Sequence, residues 1–315
     1  MTDNNKTTDF SSIKTLSEML DLTFSCFDVA DLYYGHGTDS AWDEAVQLVL
    51  YVMDLPIDSG SEVNDLPVSK ANIDSCEKLI ADRISTRQPL AYLIKQAWFM
   101  QLPFYVDQRV IVPRSPFAEW IGQQFQPWLN VSNIHTILDL CCGSACIAIA
   151  AACKFPEATV TAIDIDADAL QVAAINVANY NLQSRVSLLE SDGFSKLTTE
   201  KFDLIISNPP YVSSIEMESL PAEYLCEPTH ALEAEDNGLA LVFKWLSQAA
   251  NHLSSDGVLF MEVGNNDLQL QERVPTVPFM WLEQQHGGHG IFMLKRNDLI
   301  SFKNVFEQQL NLGEL

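Results

Sequence analysis

The chain reads as an α/β protein: a parallel sheet covered by helices on both faces, preceded by a smaller helical region. Strand and helix signals alternate from His135 onward, and the strand signals are nearly continuous apolar runs, which suit strands buried on both faces. Before about residue 95, apolar residues recur at helical spacing instead. A length of 315 residues corresponds to about two domains, and 47% apolar residues suffice for a sizeable core. The expected organisation is a helical domain over 1–95, a hairpin and linker over 96–133, and the α/β domain over 134–315.

In chain order, Leu16-Leu20-Leu22-Phe24, Ala45-Val46-Leu48-Val49-Val52 and Ile73-Leu79-Ile80-Ile84 predict three helices, with Ser40 or Thr38 as the N-cap of the second. Residues 56–72, polar with two prolines and Gly60, predict a loop. Trp98-Phe99-Met100, Phe104-Tyr105-Val106 and Val110-Ile111-Val112, bounded by Pro103 and Pro113, predict a small hairpin that joins the domains. A helix over 116–125 and a linker over 127–133 follow. The alternation then runs through strand 136–140, an Ala-rich helix 145–154, strand 159–163, helix 167–180, strand 186–189, strand 202–206, helix 238–253, strand 258–261 and a closing strand 291–294. There is no internal repeat and no low-complexity tract.

Charge narrows the function. Lys and Arg number 18 against 42 Asp and Glu, a net charge of −24, with a pI near 4.4. A protein whose main partner is DNA or RNA needs a basic face to displace counterions, so a nucleic-acid partner is disfavoured and a basic protein partner is favoured. The most apolar stretch, 137–153, is broken by Asp139, Gly143 and Ser144, so no transmembrane helix is expected. The opening residues 1–6 are polar and lack a signal-peptide pattern, which points to the cytoplasm. Cys141, Cys142, Cys146 and Cys153 crowd one apolar segment without the paired spacing of a zinc site, and read as small buried hydrophobes with no metal.

In a doubly wound sheet, ligands bind at the carboxyl ends of the strands, near the point where strand order reverses. The first βα turn here is Asp139-Leu140-Cys141-Cys142-Gly143-Ser144-Ala145, and Asp164 ends the next strand 21 residues beyond Gly143. That spacing matches an acidic side chain that accepts hydrogen bonds from ribose hydroxyls, with Asp166 as the weaker candidate. One glycine in the turn argues against a pyrophosphate-containing dinucleotide and is compatible with a nucleoside lacking phosphates. After the third strand, Asp192-Gly193-Phe194 offers a carboxylate and a ring for the edge and face of an adenine.

The fourth strand leads into Asn208-Pro209-Pro210-Tyr211. Two prolines end the ladder and hold Asn208 extended at the strand mouth. The pattern suits methyl transfer to a planar nitrogen, whose lone pair is delocalised and needs help. The Asn208 side-chain carbonyl and the Pro209 backbone carbonyl can each accept one N–H, orienting the nitrogen and favouring its build-up of positive charge. Tyr211 can stack on the planar group and border a cationic methyl donor.

The Asn-Pro-Pro-Tyr motif, with the Asp139 loop and Asp164 before it, resembles the S-adenosylmethionine-dependent methyltransferases that modify glutamine amides in translation proteins, the release-factor and ribosomal-protein glutamine methyltransferase family. The agreement extends through Tyr34-Gly35-His36-Gly37, Ala97-Trp98-Phe99, Val112-Pro113-Arg114-Ser115-Pro116, Glu227-Pro228 and Gly287-Gly288-His289-Gly290. Pro113-Arg114-Ser115-Pro116-Phe117-Ala118-Glu119 resembles the branch acting on the third protein of the large ribosomal subunit, whereas the release-factor branch is one residue shorter between Arg and Glu.

The resemblance implies a seven-stranded, Rossmann-like class I methyltransferase domain behind a helical substrate-recognition domain, with S-adenosyl-L-methionine as cofactor and a glutamine of that ribosomal protein as substrate. It also implies that Cys141, Cys142, Gly143, Ser144 and Ala145 line the methionine part of the cofactor, with Asp164 at the ribose. Asp192, Gly193 and Phe194 would lie at the adenine, and Asn208, Pro209, Pro210 and Tyr211 would touch both ligands. One departure stands out: relatives usually carry Gly-Ser-Gly where this chain has Gly143-Ser144-Ala145, and the added methyl is expected to crowd the cofactor.

Glu216, Glu218, Glu223 and Glu227 are candidates to face a basic substrate. His36 and His289, set among glycines, read as turn residues, while Arg114 and Glu119 are candidates to pair with each other or orient the domains, with substrate contact open to Arg114. The same chemistry would also serve a release-factor methyltransferase, an adenine-amino methyltransferase of DNA or RNA, or, without catalysis, a binding module of this fold.

Overall fold

The computed structural model describes residues 10–285 and 287–313, so the polar stretch 1–6 lies outside the described residues. No described helix is long and apolar enough to cross a membrane.

The N-terminal unit comprises described residues up to 96 together with 221–226. It contains helices α1 (Leu16–Asp28), α2 (Ala41–Val52), α3 (Lys70–Thr86) and α4 (Leu90–Ile94). Each of the first three starts where a side chain satisfies an otherwise free backbone N–H: Thr15 with Glu18 for α1, Ser40 for α2, and Ser69 with Asn72 for α3. The last cap starts α3 inside the stretch expected to be loop, because apolar spacing becomes visible only from Ile73. Ser40 rather than Thr38 caps α2, since Thr38 is buried and donates to Glu44. Leu16, Met19, Phe27, Leu48, Ile73 and Ile80 form the core.

A buried charge cluster ties this unit together. Arg83, 1% exposed, donates from Nε to Glu44 at 2.6 Å, from Nη1 to Glu223 at 3.2 Å and from Nη2 to the Tyr33 carbonyl at 3.0 Å. Arg87 lies 3.0 Å from the same Glu223 oxygen, and the Tyr33 N–H donates to it as well. Burial raises the Glu44 carboxyl above its ordinary range, with Arg83 opposing. Burial also works against charge on Glu223, but the Tyr33 N–H and Arg83 outweigh it and hold the carboxyl low. Glu223 was expected to face a basic substrate; it is instead the buried anchor of segment 221–226.

The second unit holds 97–220 and the described residues from 227 on. Strands β1 (Ala97–Phe99) and β2 (Leu102–Phe104) form the hairpin, turned at Met100 and Gln101, both with left-handed φ. Tyr105 and the run Val110-Ile111-Val112 are not strands: Val110 and Val112 are buried, and the Val112 N–H donates to the Glu227 carboxylate instead of a neighbouring strand.

There follow α5 (Phe117–Gly122), β3 (Thr136–Leu140), α6 (Cys146–Lys154), β4 (Thr159–Asp164), α7 (Ala167–Asn179), β5 (Val186–Glu190), β6 (Phe202–Ser207) and α8 (Ser214–Met217). The chain continues through α9 (Ala240–Ala249), β7 (Leu253–Glu262), α10 (Asp267–Arg273), β8 (Met280–Leu282), β9 (Ile291–Lys295) and α11 (Arg296–Gly313). The α5 helix stops short of the expected 125 because Gln124 and Phe125 are left-handed, and α9 ends at Ala249, where a turn through Asn251 and His252 leads into β7 at Leu253.

Seven described strands form one sheet in the order β5-β4-β3-β6-β7-β9-β8. The first five are parallel, while β9 runs antiparallel to both β7 and β8. The expected all-parallel sheet is thus corrected at one edge, where the short loop from β8 to β9 permits only an antiparallel pairing. Helix cover on both faces is visible residue by residue: Val258 and Phe260 enter one core cluster, and Leu259 and Met261 the other.

Replacing Arg83 by Met would leave Glu44 and Glu223 buried without their shared cation. R83M is expected to lower stability in urea unfolding by about 3–5 kcal/mol. A loss below about 1 kcal/mol would show that the cluster contributes little.

Candidate active site

β3 lies between β4 and β6, so the chain winds to one side of β3 first and to the other afterwards. Such a reversal leaves a crevice beyond the carboxyl ends of the strands, because the loops on either side diverge. A cavity lies there. Its wall includes Leu140 at the end of β3 with Cys141 and Gly143 after it, Asp164 and Ile165 at β4, Asp192 and Gly193 after β5, and Asn208 and Pro210 after β6.

The β3 turn is tight, with Cys141, Gly143 and Ala145 all at left-handed φ. The Gly143 N–H donates to Asp164 Oδ2 at 2.8 Å, and the Asp166 N–H to Asp164 Oδ1 at 3.0 Å. Burial raises the Asp164 carboxyl above its ordinary range, against the pull of these two donors. Asp166 caps α7 through the Asp168 N–H and sits 2.9 Å from the His230 ring.

Asp139, Cys142, Ser144 and Ala145 lie behind the turn, buried, and are not in the cavity wall. Burial drives the Asp139 carboxyl and the Cys141 and Cys142 thiols well up from their ordinary values, which disfavours thiolate chemistry. The Ala145 methyl, expected to crowd a cofactor, packs instead in the core with Ile147 and Ala148. Its cost is conformational, about 1 kcal/mol for a side chain held at left-handed φ.

At β5, Lys244 holds Asp192 through both carboxylate oxygens, at 2.9 and 2.8 Å. A Cβ on Gly193 would stand 2.6 Å from the Trp245 indole nitrogen, so only glycine leaves this wall intact. Phe194, expected to face an adenine, is buried in the core and stacked on His252. Trp245 and Leu241 supply apolar wall that the sequence reading did not identify. Arg109, Val110 and His230 were also missed; the strand-end rule covers none of them.

At the end of β6, Ser207 donates to the Leu140 carbonyl at 3.1 Å, which clamps the mouth of β6 to that of β3. Pro209 and Pro210 are buried and Asn208 is half-buried. Tyr211 is held at both ends: Asn266 Nδ2 donates to its carbonyl at 2.7 Å, and its hydroxyl donates to Glu262 Oε1 at 3.0 Å. Its ring lies against Gly264, where a Cβ would come within 2.5 Å of the ring. Glu262 also accepts from the Ser115 hydroxyl. Its burial lifts the carboxyl to about 7, while those two donors and the Arg114 charge pull the other way.

Arg114 pairs with Glu227 through two bonds of 2.6 and 2.7 Å, not with Glu119, which accepts from the Gln285 N–H. Glu227, expected to face a basic substrate, is therefore buried beneath Arg114. Glu216 caps α8 with Ser213 and is exposed, as is Glu218. In the N-terminal unit, His36 packs on the Tyr224 ring, with centroids 4.4 Å apart. His289 is exposed in a turn whose glycines 287, 288 and 290 all have positive φ.

Glu262 carries a pH signature. Its side chain ionises near 4.5 when free and at about 7 when folded, so the native state keeps a proton that the unfolded chain has lost. Stability is then greatest below about pH 4.5 and falls as pH rises through 7, by about 3 kcal/mol for that carboxyl. Urea unfolding of the parent and of Glu262→Gln across pH 5–8 checks this: the parent is expected to lose stability relative to the variant as pH rises. A flat difference would contradict it.

Residues 125–243 match the family model described as methyltransferase small domain. A solved methyltransferase structure from Pyrococcus furiosus aligns with a TM-score of 0.44 and 18% identity, covering 61% of this chain and 88% of that one. Over 303 residues the chain is 40% identical to a protein of Francisella tularensis named ribosomal protein uL3 glutamine methyltransferase, with 95% of each chain covered. A protein of the same name from Neisseria gonorrhoeae is 41% identical over 289 residues, covering 91% of this chain and 96% of its own. At that identity over nearly the whole length, the chain belongs to the family of the ribosomal protein uL3 glutamine methyltransferases.

Proposed function

We propose that this chain transfers a methyl group from S-adenosylmethionine to the side-chain amide nitrogen of a glutamine in ribosomal protein uL3, in the cytoplasm. The observation that carries the reading is that Asn208, at the end of β6, and Asp164, at the end of β4, line one cavity at the strand-order reversal. The family relatives support the same substrate.

The residues present fit such a cofactor. Asp164 is fixed by two backbone N–H groups and presents its remaining lone pairs to vicinal hydroxyls, while Asp192 and Gly193 border the space for an adenine. Cys141 and Gly143 would meet the methionine part; Cys142, Ser144, Ala145 and Phe194 support the wall from behind. When bound, the cofactor supplies an electrophilic methyl group on a sulfonium.

Asn208 and the Pro209 carbonyl each accept one N–H of the substrate amide, which aims the nitrogen lone pair at the methyl carbon. The cofactor would supply the methyl carbon to the amide nitrogen and take the electron pair of the broken carbon–sulfur bond onto sulfur. The nitrogen then loses one proton to water, so no tuned base is required. Tyr211 stacks on the amide plane and borders the cation.

The net charge of −24 supports a basic protein partner drawn in at long range, with an on-rate that falls as salt rises.

Asn208→Ala is expected to keep cofactor affinity while lowering kcat on uL3 by about 100-fold or more, as loss of a preorganised polar contact does. Asp164→Ala is expected to weaken cofactor binding first. Calorimetry and transfer of labelled methyl to uL3, a release factor or DNA measure both. Near-normal turnover by Asn208→Ala, or label only on DNA or the release factor, would defeat the reading.

A further inference from the structure

We infer that Glu262 is a positioning residue for methyl transfer, acting through the Tyr211 hydroxyl to hold in place the ring that packs on the substrate amide. The inference rests on the function proposed above.

The geometry begins in the sheet. Register pairs Ser207 of β6 with Met261 of β7, so Glu262 follows on β7 where Asn208 follows on β6. Glu262 also pairs with Ile291 of β9, which fixes its backbone from the other side. Its carboxylate is 3% exposed and accepts from Tyr211 and Ser115. Ser115 is pinned in turn, since its Oγ accepts the Phe117 N–H at 3.1 Å.

A buried carboxyl is a costly way to fill space, because an apolar side chain of similar volume packs as well without desolvation. What it adds is direction. Tyr211 has two rotatable side-chain bonds; Asn266 holds its carbonyl and Gly264 packs on its ring face, but neither anchors the phenol end. The hydrogen bond to Glu262 does so, and it fixes rotation about the inner bond, because the hydroxyl oxygen swings with that bond. A stacked ring aligns a planar amide only while the ring itself stays in place, and small misplacements of a reacting group are costly in rate.

The test is a double-mutant cycle on kcat with uL3, using Tyr211→Phe, Glu262→Leu and the pair, with cofactor affinity measured by calorimetry. Each single variant is expected to lose about tenfold in kcat with cofactor affinity unchanged within about twofold, and the pair to lose no more than about tenfold. Losses that multiply to about 100-fold, or that fall on cofactor affinity, would overturn the inference. If Glu262→Leu does not fold, Ser115→Ala leaves the carboxylate in place; its expected loss of about threefold in kcat must vanish in the Tyr211→Phe background, and persistence there overturns the inference. A parent enzyme that transfers no methyl to uL3 would defeat the functional reading and this inference with it. A parent that does, with multiplying losses, would defeat this inference alone.

Discussion

Everything at the site depends on β3 pairing in parallel with a neighbour on each side. Its residues Leu138 and Leu140 are fully buried, and its backbone is bonded to β4 along one edge and β6 along the other. A strand so placed has no freedom to slip, because a shift by one residue would exchange its two faces. Asp164 and Asn208 therefore arrive at a common rim with their spacing set by sheet register rather than by loops.

Around that rim the structure adds a layer of contacts between residues far apart in the chain. Arg114 binds Glu227, Ser115 and Tyr211 bind Glu262, and Asn266 binds the Tyr211 carbonyl. These contacts stiffen the irregular segments that strand pairing leaves unpaired, which is where a reaction needs rigidity and a loop lacks it. The N-terminal unit is organised on the same plan, by the Arg83 cluster that captures Glu223 from a distant segment.

Alternating apolar runs made most of the fold legible, because a strand buried on both faces and a helix with one apolar stripe leave different periods in the sequence. The short strand β8 escaped notice, having three residues and no period to display. Helix α11 was missed although Leu299, Phe302 and Phe306 mark a helical stripe. At the site, Asp164 and Asn208 were legible because strand ends and paired prolines mark themselves locally. Trp245 and Glu262 were not, since each reaches the site through a packing partner more than 50 positions away. A charged residue closing the apolar run 258–261 was the one signal Glu262 offered.

By itself the sequence determined the α/β class, the helical N-terminal region, the turn after β3, and the residue types at the ends of β4 and β6. These follow from periodicity and from local steric rules for proline and glycine, which act within a few residues. Tertiary structure decided which acidic residues face solvent and which are buried as ion-pair partners. It turned the Ala145 methyl and the Phe194 ring into the core, and it bound the Tyr211 hydroxyl to Glu262. Those outcomes depend on which distant side chains meet once the strands have paired, and no local pattern encodes that meeting.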